Sequence, residues 1–243
     1  MEYLIVFGFL VGVSSGFFGI GGGTLLVPLL MMIGFTIKEA VGISIVQMLF
    51  SSISGSTINY RKGQLEVKIV LLIALGGLVG AYLSAYWVPH VSNEFLEGLF
   101  LVAILFATFK IFMAPHSAGE VKQLPFWALL LVGAVIGTIA IAIGVGGSLL
   151  VTPFLNAYLG YPIKRAINAA LFYVLFSSSA AFVSWGLSGQ LLLHEGLIVG
   201  VVSMVGVWVG IYLGSLTSSK NHKTLLLILN ISVIGYMGYR FLG

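Results

Sequence analysis

Along this chain polar residues punctuate apolar runs, and the spacing of that punctuation predicts helices of membrane length. Residues 3 to 35 form a run of roughly thirty mostly apolar positions, more than the ~20 that one untilted membrane crossing needs, with Gly19-Ile20-Gly21-Gly22-Gly23-Thr24 in its middle. Adjacent glycines remove helix propensity at one point, and Thr24 after them is a good N-cap for a new helix. The run therefore reads as two half-length helices around a break. Residues 40 to 60 form a second span with a polar stripe of Gln47, Ser51, Ser52, Ser54, Ser56, Thr57 and Asn59. Residues 67 to 88 form a third, in which Gly76, Gly77 and Gly80 allow helices to approach closely. Residues 95 to 113 form a fourth, uniformly apolar and expected at the lipid-facing periphery.

Residues 114 to 123 are the longest polar connection, and after them the pattern starts again. Residues 124 to 161 repeat the broken run around Gly144-Val145-Gly146-Gly147-Ser148, residues 164 to 185 the polar-striped span, 191 to 216 the Gly-rich span and 225 to 242 the last. Ile37, Lys38, Ala40, Phe50, Ser51, Ser52, Gly63, Gln64 and Leu65 reappear in order as Ile163, Lys164, Ala166, Phe176, Ser177, Ser178, Gly189, Gln190 and Leu191. At the breaks, Gly22, Gly23, Leu25, Leu26 and Val27 match Gly146, Gly147, Leu149, Leu150 and Val151. Apolar bias produces scattered Leu and Val matches, not Phe-Ser-Ser and Gly-Gln-Leu at one register. The chain is read as a duplication, with one transmembrane repeat over residues 1–116 and a second over 117–243.

Composition removes the soluble alternatives. Of 243 residues 59% are hydrophobic and 7% charged, and a mean hydropathy of +1.13 belongs to an integral membrane protein. Cysteine is absent, which excludes thiolate metal sites and Cys nucleophiles, and so is aspartate, which excludes aspartyl-phosphate pumps and intramembrane aspartyl proteases. Met1-Glu2-Tyr3 lacks a basic n-region, so the first apolar segment is expected to stay in the mature protein.

The formal charge of +4 points to topology rather than nucleic acid, because the basic residues sit in short loops. With four full spans in each half, the eleven Lys and Arg residues divide six against five between the two faces, which orients nothing. If each broken run instead re-enters, all except Lys38 and Arg240 fall on one face, a strong positive-inside bias. Glu2, Glu39, Glu94, Glu97 and Glu195 then lie on the opposite face, leaving Glu66 and Glu120 on the basic one. The expectation is an all-α polytopic membrane protein built from two inverted repeats. Each has a Gly-broken re-entrant helix plus about three transmembrane helices, with both termini outside and the central connection in the cytoplasm.

A broken helix frees backbone N–H groups, and its second half aims the positive end of its dipole at the gap, which makes an anion site. Irregular backbone survives inside a bilayer only where it is buried in protein or lines a cavity. Two copies in corresponding halves are the sequence pointer to a secondary transporter's binding site. The candidate lining is Gly21, Gly22, Gly23 and Thr24 with Gly146, Gly147 and Ser148; close helix packing is the plainer use of such glycines. Gln47, Ser51 and Ser52, with Ser177 and Ser178 opposite, have hydroxyls and an amide suited to replacing the water shell of an oxyanion, and equally suited to joining helices. Asn168 is a similar candidate and also a candidate cap. Lys38, Lys164 and Arg165 read as topology anchors more readily than as substrate contacts. The histidines and glutamates fall near loops, so proton coupling has no visible intramembrane group, and the scattered histidines support no metal site. The Gly run lacks the Lys-Ser/Thr ending of a nucleotide-binding loop, and nothing points to an enzyme or a cofactor.

The Gly19 to Pro28 motif, its second copy at Gly144 to Pro153, the short duplicated membrane chain and the Gly-Gln-Leu turns resemble the sulfite exporter TauE/SafE family over essentially the whole length. The resemblance implies a secondary transporter of small, often sulfur-containing or organic anions such as sulfite or sulfoacetate, in the bacterial cytoplasmic membrane. Alternating access is the leading expectation. A passive anion channel using the same half-helix dipoles is the alternative, and a membrane scaffold subunit a third reading. The expected partners are a small anionic substrate and the lipid bilayer, not nucleic acid, with a homo-oligomer compatible. The shared motifs assign neither substrate, direction nor coupling ion.

Overall fold

The computed structural model describes residues 2–63, 67–113, 122 and 124–242. The Gln64-Leu65 part of the duplicated turn and the boundary expected at residues 116 and 117 lie outside them. Among the described residues the secondary structure is helical: α1 Glu2–Phe18, α2 Gly23–Met32, α3 Ile37–Arg61, α4 Val67–Trp87, α5 Asn93–Met113, α6 Phe126–Ala142, α7 Ser148–Pro153, α8 Ile163–Leu187, α9 Leu193–Leu216 and α10 Ser219–Leu242. A short 3-10 turn, Val88–His90, follows α4, and a π turn, Phe154–Tyr158, continues α7. Six of these helices are long and apolar enough to cross a membrane. The sequence pattern locates the long apolar helices; capping residues and first turns extend α10 in particular, which starts at Ser219 rather than near residue 225.

Glycine decides which helices touch. Gly8, Gly12 and Gly16 of α1 lie against Val199, Ser203 and Val207 of α9, so close that a Cβ would meet backbone, and Gly206 and Gly210 return the contact against Phe9 and Val13. The same arrangement recurs in a second pair of helices. Gly76 and Gly80 of α4 lie against Leu130 and Ala134 of α6, and Gly133 and Gly137 of α6 against Ile73 and Gly77. Small residues four apart bring two backbones together, and dispersion then holds them without a hydrophobic driving force. The tightest pairings thus run between the halves, α1 on α9 and α6 on α4.

Residue contacts also give direction. In the α1–α9 pair both numbers rise together, and Gly196 and Gly200 of α9 lie against Val46 and Phe50 of α3. Helices α1 and α3 therefore both run parallel to α9. On the other side α4 runs parallel to α6, and to α8 through Gly77 against Tyr173 and the Trp185 indole N–H donating to Ser84 Oγ at 3.0 Å. Helices α3 and α8 are antiparallel: Ser52 meets Ser178, while Ser56, one turn on, reaches the Leu171 carbonyl. Helices α5 and α10 pair at the periphery, joined at one end by Lys223 Nζ donating to the Phe112 carbonyl and at the other by Arg240 and Glu97 at 3.5 Å.

Candidate functional site

Each broken run turns through three left-handed glycines: Gly19, Gly21 and Gly22 (φ +64, +67 and +86°) in the first, Gly144, Gly146 and Gly147 (φ +73, +71 and +99°) in the second. A residue with a Cβ pays heavily for such backbone, which is why these positions are glycine. The structure corrects one detail of the sequence reading. The N-caps of α2 and α7 are Gly22 and Gly147, neither with a side-chain capping bond. Thr24 and Ser148 therefore do not cap; Ser148 is the first residue of α7 and Thr24 the second of α2. The breaks align one residue differently from the Leu-Leu-Val match, Gly22 on Gly147 and Pro28 on Pro153, because the turn and not the apolar run sets the register.

The two breaks meet at the centre of the bundle. A Cβ on Gly23 would run into the carbonyl oxygen of Gly144, and one on Gly21 would stand 3.4 Å from Ser148 Oγ. Residues 19–24 and 140–149 are buried throughout. Helices α3 and α8 hold the turns by matched bonds: Ser51 Oγ donates to the Gly21 carbonyl at 3.3 Å and Ser177 Oγ to the Gly146 carbonyl at 2.7 Å. Ser44, absent from the sequence-based candidates, donates to the Gly144 carbonyl at 2.8 Å and so ties the second break to the first half. Its signal was its place one turn before Gln47 on the same helix face. Ser52 and Ser178 meet across the α3–α8 contact at 3.5 Å, each also bonded to its own helix backbone.

The surroundings of the two breaks differ at matched residues. Against Gly147 lies the ring of Tyr173, whose hydroxyl donates to the Gly133 carbonyl at 2.8 Å. Against Gly22 the equivalent position carries Gln47, and a Cβ there would stand 2.6 Å from Oε1 and 2.7 Å from Nε2. Gln47 is fully buried with neither amide atom hydrogen-bonded, and buried Thr24 Oγ1 is likewise unpartnered. A buried polar group left unpaired costs about 1–3 kcal/mol. The first break therefore presents an unsatisfied amide and hydroxyl at the N-terminus of a ten-residue helix, whereas the second is closed by an aromatic ring.

Beside the breaks, a cavity of about 470 Å³ opens to one face, lined by Gly16, Phe17, Asn59, Gly63, Lys164, Arg165, Ile167, Asn168, Ile211, Gly214, Ser215 and His222. Ile167 lines it and also packs on Gly19, the first glycine of the first break. Asn168 lies in the second turn of α8, too far in to cap it, and faces this vestibule rather than the breaks. Lys164 and Arg165, read from sequence as anchors, stand on its wall. His222, stacked on Phe17 at 4.5 Å, enters from α10; no spacing in the sequence connects it with residue 17.

The comparisons with known proteins bear on this arrangement. The family model described as Sulfite exporter TauE/SafE matches residues 4–237. The chain belongs to the sulfite exporter TauE/SafE family. Similar members include a probable membrane transporter protein of Methanocaldococcus jannaschii, 27% identical over 98% of this chain and 94% of that protein, and the probable membrane transporter protein YunE of Bacillus subtilis, 26% identical over 95% and 93%. The Sulfite exporter TauE/SafE family protein 1 of Arabidopsis thaliana is 33% identical over 49% of this chain and 27% of its own length. No solved structure matches. Membership in this transporter family, with six helices of spanning length, makes the chain a multi-pass membrane protein.

Proposed function

We propose that this family member is a secondary transporter of a small anion, a sulfur oxyanion or organosulfonate, working by alternating access around the two glycine breaks. The observation that carries the reading is the meeting of both breaks at the buried centre, under a basic vestibule open to one face. The anion reaches the first break past Ile167 and exchanges water for the α2 N–H groups, the Gln47 amide and the Thr24 hydroxyl. Gly21, Gly23, Gly146 and Ser148 let the backbones come close enough to enclose it. Ser51 and Ser177 fix the turns, and the Ser52–Ser178 contact is the seam on which the halves shift. Binding through dipoles and neutral donors suits a carrier, which must also release.

The proposed topology has two inverted repeats, residues 1–116 and 117–243, each broken run entering and leaving by one face. Three observations support it: α1 and α3 share a direction, α6 and α8 share one, and α3 opposes α8. The Lys122 N–H bonded to the Leu159 carbonyl at 3.1 Å, before α6 and after the π turn, supports the same reading. The positive-inside bias then puts the vestibule in the cytoplasm and both termini outside, in a bacterial cytoplasmic membrane.

The test is flux in proteoliposomes with labelled sulfite, sulfate, sulfoacetate and acetate. Saturable counterflow is expected, and Gly22→Leu or Gly146→Leu should abolish it in protein that thermal unfolding shows to be folded. A non-saturating, voltage-driven anion current would instead identify a channel. No flux of any probe, or unchanged flux in both variants, would overturn anion transport through the breaks and leave a scaffold role.

A further inference from the structure

A groove of about 750 Å³ runs between α5 on one side and α6, α7 and the π turn on the other. Phe106, Val135, Ile139 and Phe154 are among the apolar side chains of its walls. The groove has an inner and an outer end. Leu99, near the middle of α5, and Leu150, in the first turn of α7 beside the second break, lie at the inner end; Lys110, Met113 and Tyr158 lie at the outer one. From Leu99 to Lys110 the helix rises about 16 Å at 1.5 Å per residue. One leaflet of a hydrocarbon core ~30 Å thick measures about 15 Å, so the groove has the length of a single leaflet. Its outer end is on the vestibule's face, because Lys223, next to the vestibule's His222, donates to the Phe112 carbonyl close by the end of α5.

Two cations mark that end. Lys110 Nζ lies 5.7 Å from the centre of the Phe106 ring and Lys122 Nζ 5.4 Å from that of Tyr158, so each stands on an aromatic wall of the groove. Among the described residues the lining carries no carboxylate, and the glutamates of α5, Glu94 and Glu97, are at the opposite end of that helix. The other half of the chain treats its matched cation differently. The register that places Gly76 and Gly80 on Gly206 and Gly210 places Lys110 on Arg240. Arg240 is held by Glu97 at 3.5 Å and by the Met31 carbonyl at 3.2 Å, whereas Lys110 lies over a ring at the head of an apolar groove.

Space with such a lining stays dry, and at hydrocarbon depth acyl chains are the material at hand to fill it. A second copy of the chain fits less well. Helices join in membranes through small residues that let backbones approach, and among the described lining residues branched and aromatic side chains dominate, with Ala157 the one small residue besides Pro153.

We propose that this groove binds one anionic phospholipid, with an acyl chain along α5 and α6 and the phosphate at Lys110 and Lys122. Basic pockets between helices on the cytoplasmic side hold such headgroups, and the positive-inside reading puts this face there. The chain packs against the π turn that carries the second broken run outward, so the lipid ties that arm to α5. The lipid site is independent of what the breaks bind.

The test is native mass spectrometry of the full chain in nonionic detergent with equal amounts of dioleoyl-phosphatidylglycerol and dioleoyl-phosphatidylcholine. The parent is expected to retain one phosphatidylglycerol in preference to phosphatidylcholine. Lys110→Gln and Lys122→Gln should each cut that preference by about fivefold, the scale of one lysine near an anionic headgroup. Lys220→Gln, at an exposed lysine elsewhere on the same face, should leave it unchanged. Val135→Trp puts a bulky ring into the groove from a position that is 52% exposed, and should lower retention of both lipids. Thermal unfolding identifies variants that fail to fold. Equal retention of the two lipids by the parent, a parent-like preference in the Lys110→Gln, Lys122→Gln double variant, or parent-like retention in Val135→Trp overturns the site. So does a lipid-free dimer that Val135→Trp splits, which gives the groove to a second copy.

Discussion

Gly23→Ala separates helix propensity from the contact between the two breaks. Gly23 heads α2 with ordinary helical backbone, so propensity alone favours alanine by up to about 1 kcal/mol. The new Cβ, however, meets the Gly144 carbonyl oxygen, a backbone atom, and stands 2.7 Å from Ser44 Oγ. That hydroxyl already donates to the same carbonyl at 2.8 Å, and Gly144 sits in a tight left-handed turn, so neither neighbour can give way alone. Overpacking of this kind costs about 1–3 kcal/mol, and a strained or broken buried hydrogen bond adds roughly 1 kcal/mol. Against the propensity gain the net loss is about 1–3 kcal/mol, on the order of 5 °C in Tm for a chain of this size. Gly34→Ala is the control. Gly34 has φ +103° with nothing within 4 Å of a Cβ, so it pays only about 1–2 kcal/mol of backbone strain. Thermal unfolding in detergent should show both variants destabilised, and flux should fall only in Gly23→Ala, where the breaks are pushed apart. A Gly23→Ala protein as stable as the parent, or more stable, would refute the claim that the two breaks touch.

Ser177→Ala should lower stability by about 1–2 kcal/mol, as it leaves the buried Gly146 carbonyl without the 2.7 Å bond. Ser51→Ala should cost less, because its bond to Gly21 is 3.3 Å long; the order of the two melting temperatures checks this. The chain has no native cysteine, so single cysteines at exposed positions report topology without background. On the proposed inverted topology, Ser215→Cys and Lys122→Cys should react with an impermeant maleimide from one face, and Tyr3→Cys and His194→Cys from the other; labelling of all four from one face contradicts that topology.

Much of this protein is written in local pattern. Length of apolar run against bilayer thickness sets the spans, and the glycine triplets set the breaks, because only glycine takes three left-handed positions so close together. The expectation of a duplication came from Phe-Ser-Ser and Gly-Gln-Leu recurring in order. The near-symmetric polar stripe pointed to Gln47, Ser51 and Ser177, each of which the structure puts beside a break. What the pattern could not reveal depends on distances between helices remote in the chain. Ser51 and Ser177 look alike as stripe residues, yet each is a clamp on a turn carbonyl. Gln47 and Tyr173 are matched by position, but only packing shows one unpaired and the other sealed against Gly133. Lys164 and Arg165 resemble anchors by charge and location, and become a cavity wall because α1 stops at its glycine break while α9 and α10 close around the space beyond. Helix propensity and apolar length act within about twenty residues. Whether a polar group is satisfied, and whether a void remains beside it, depends on which backbones glycine lets approach, and only the assembled bundle decides that.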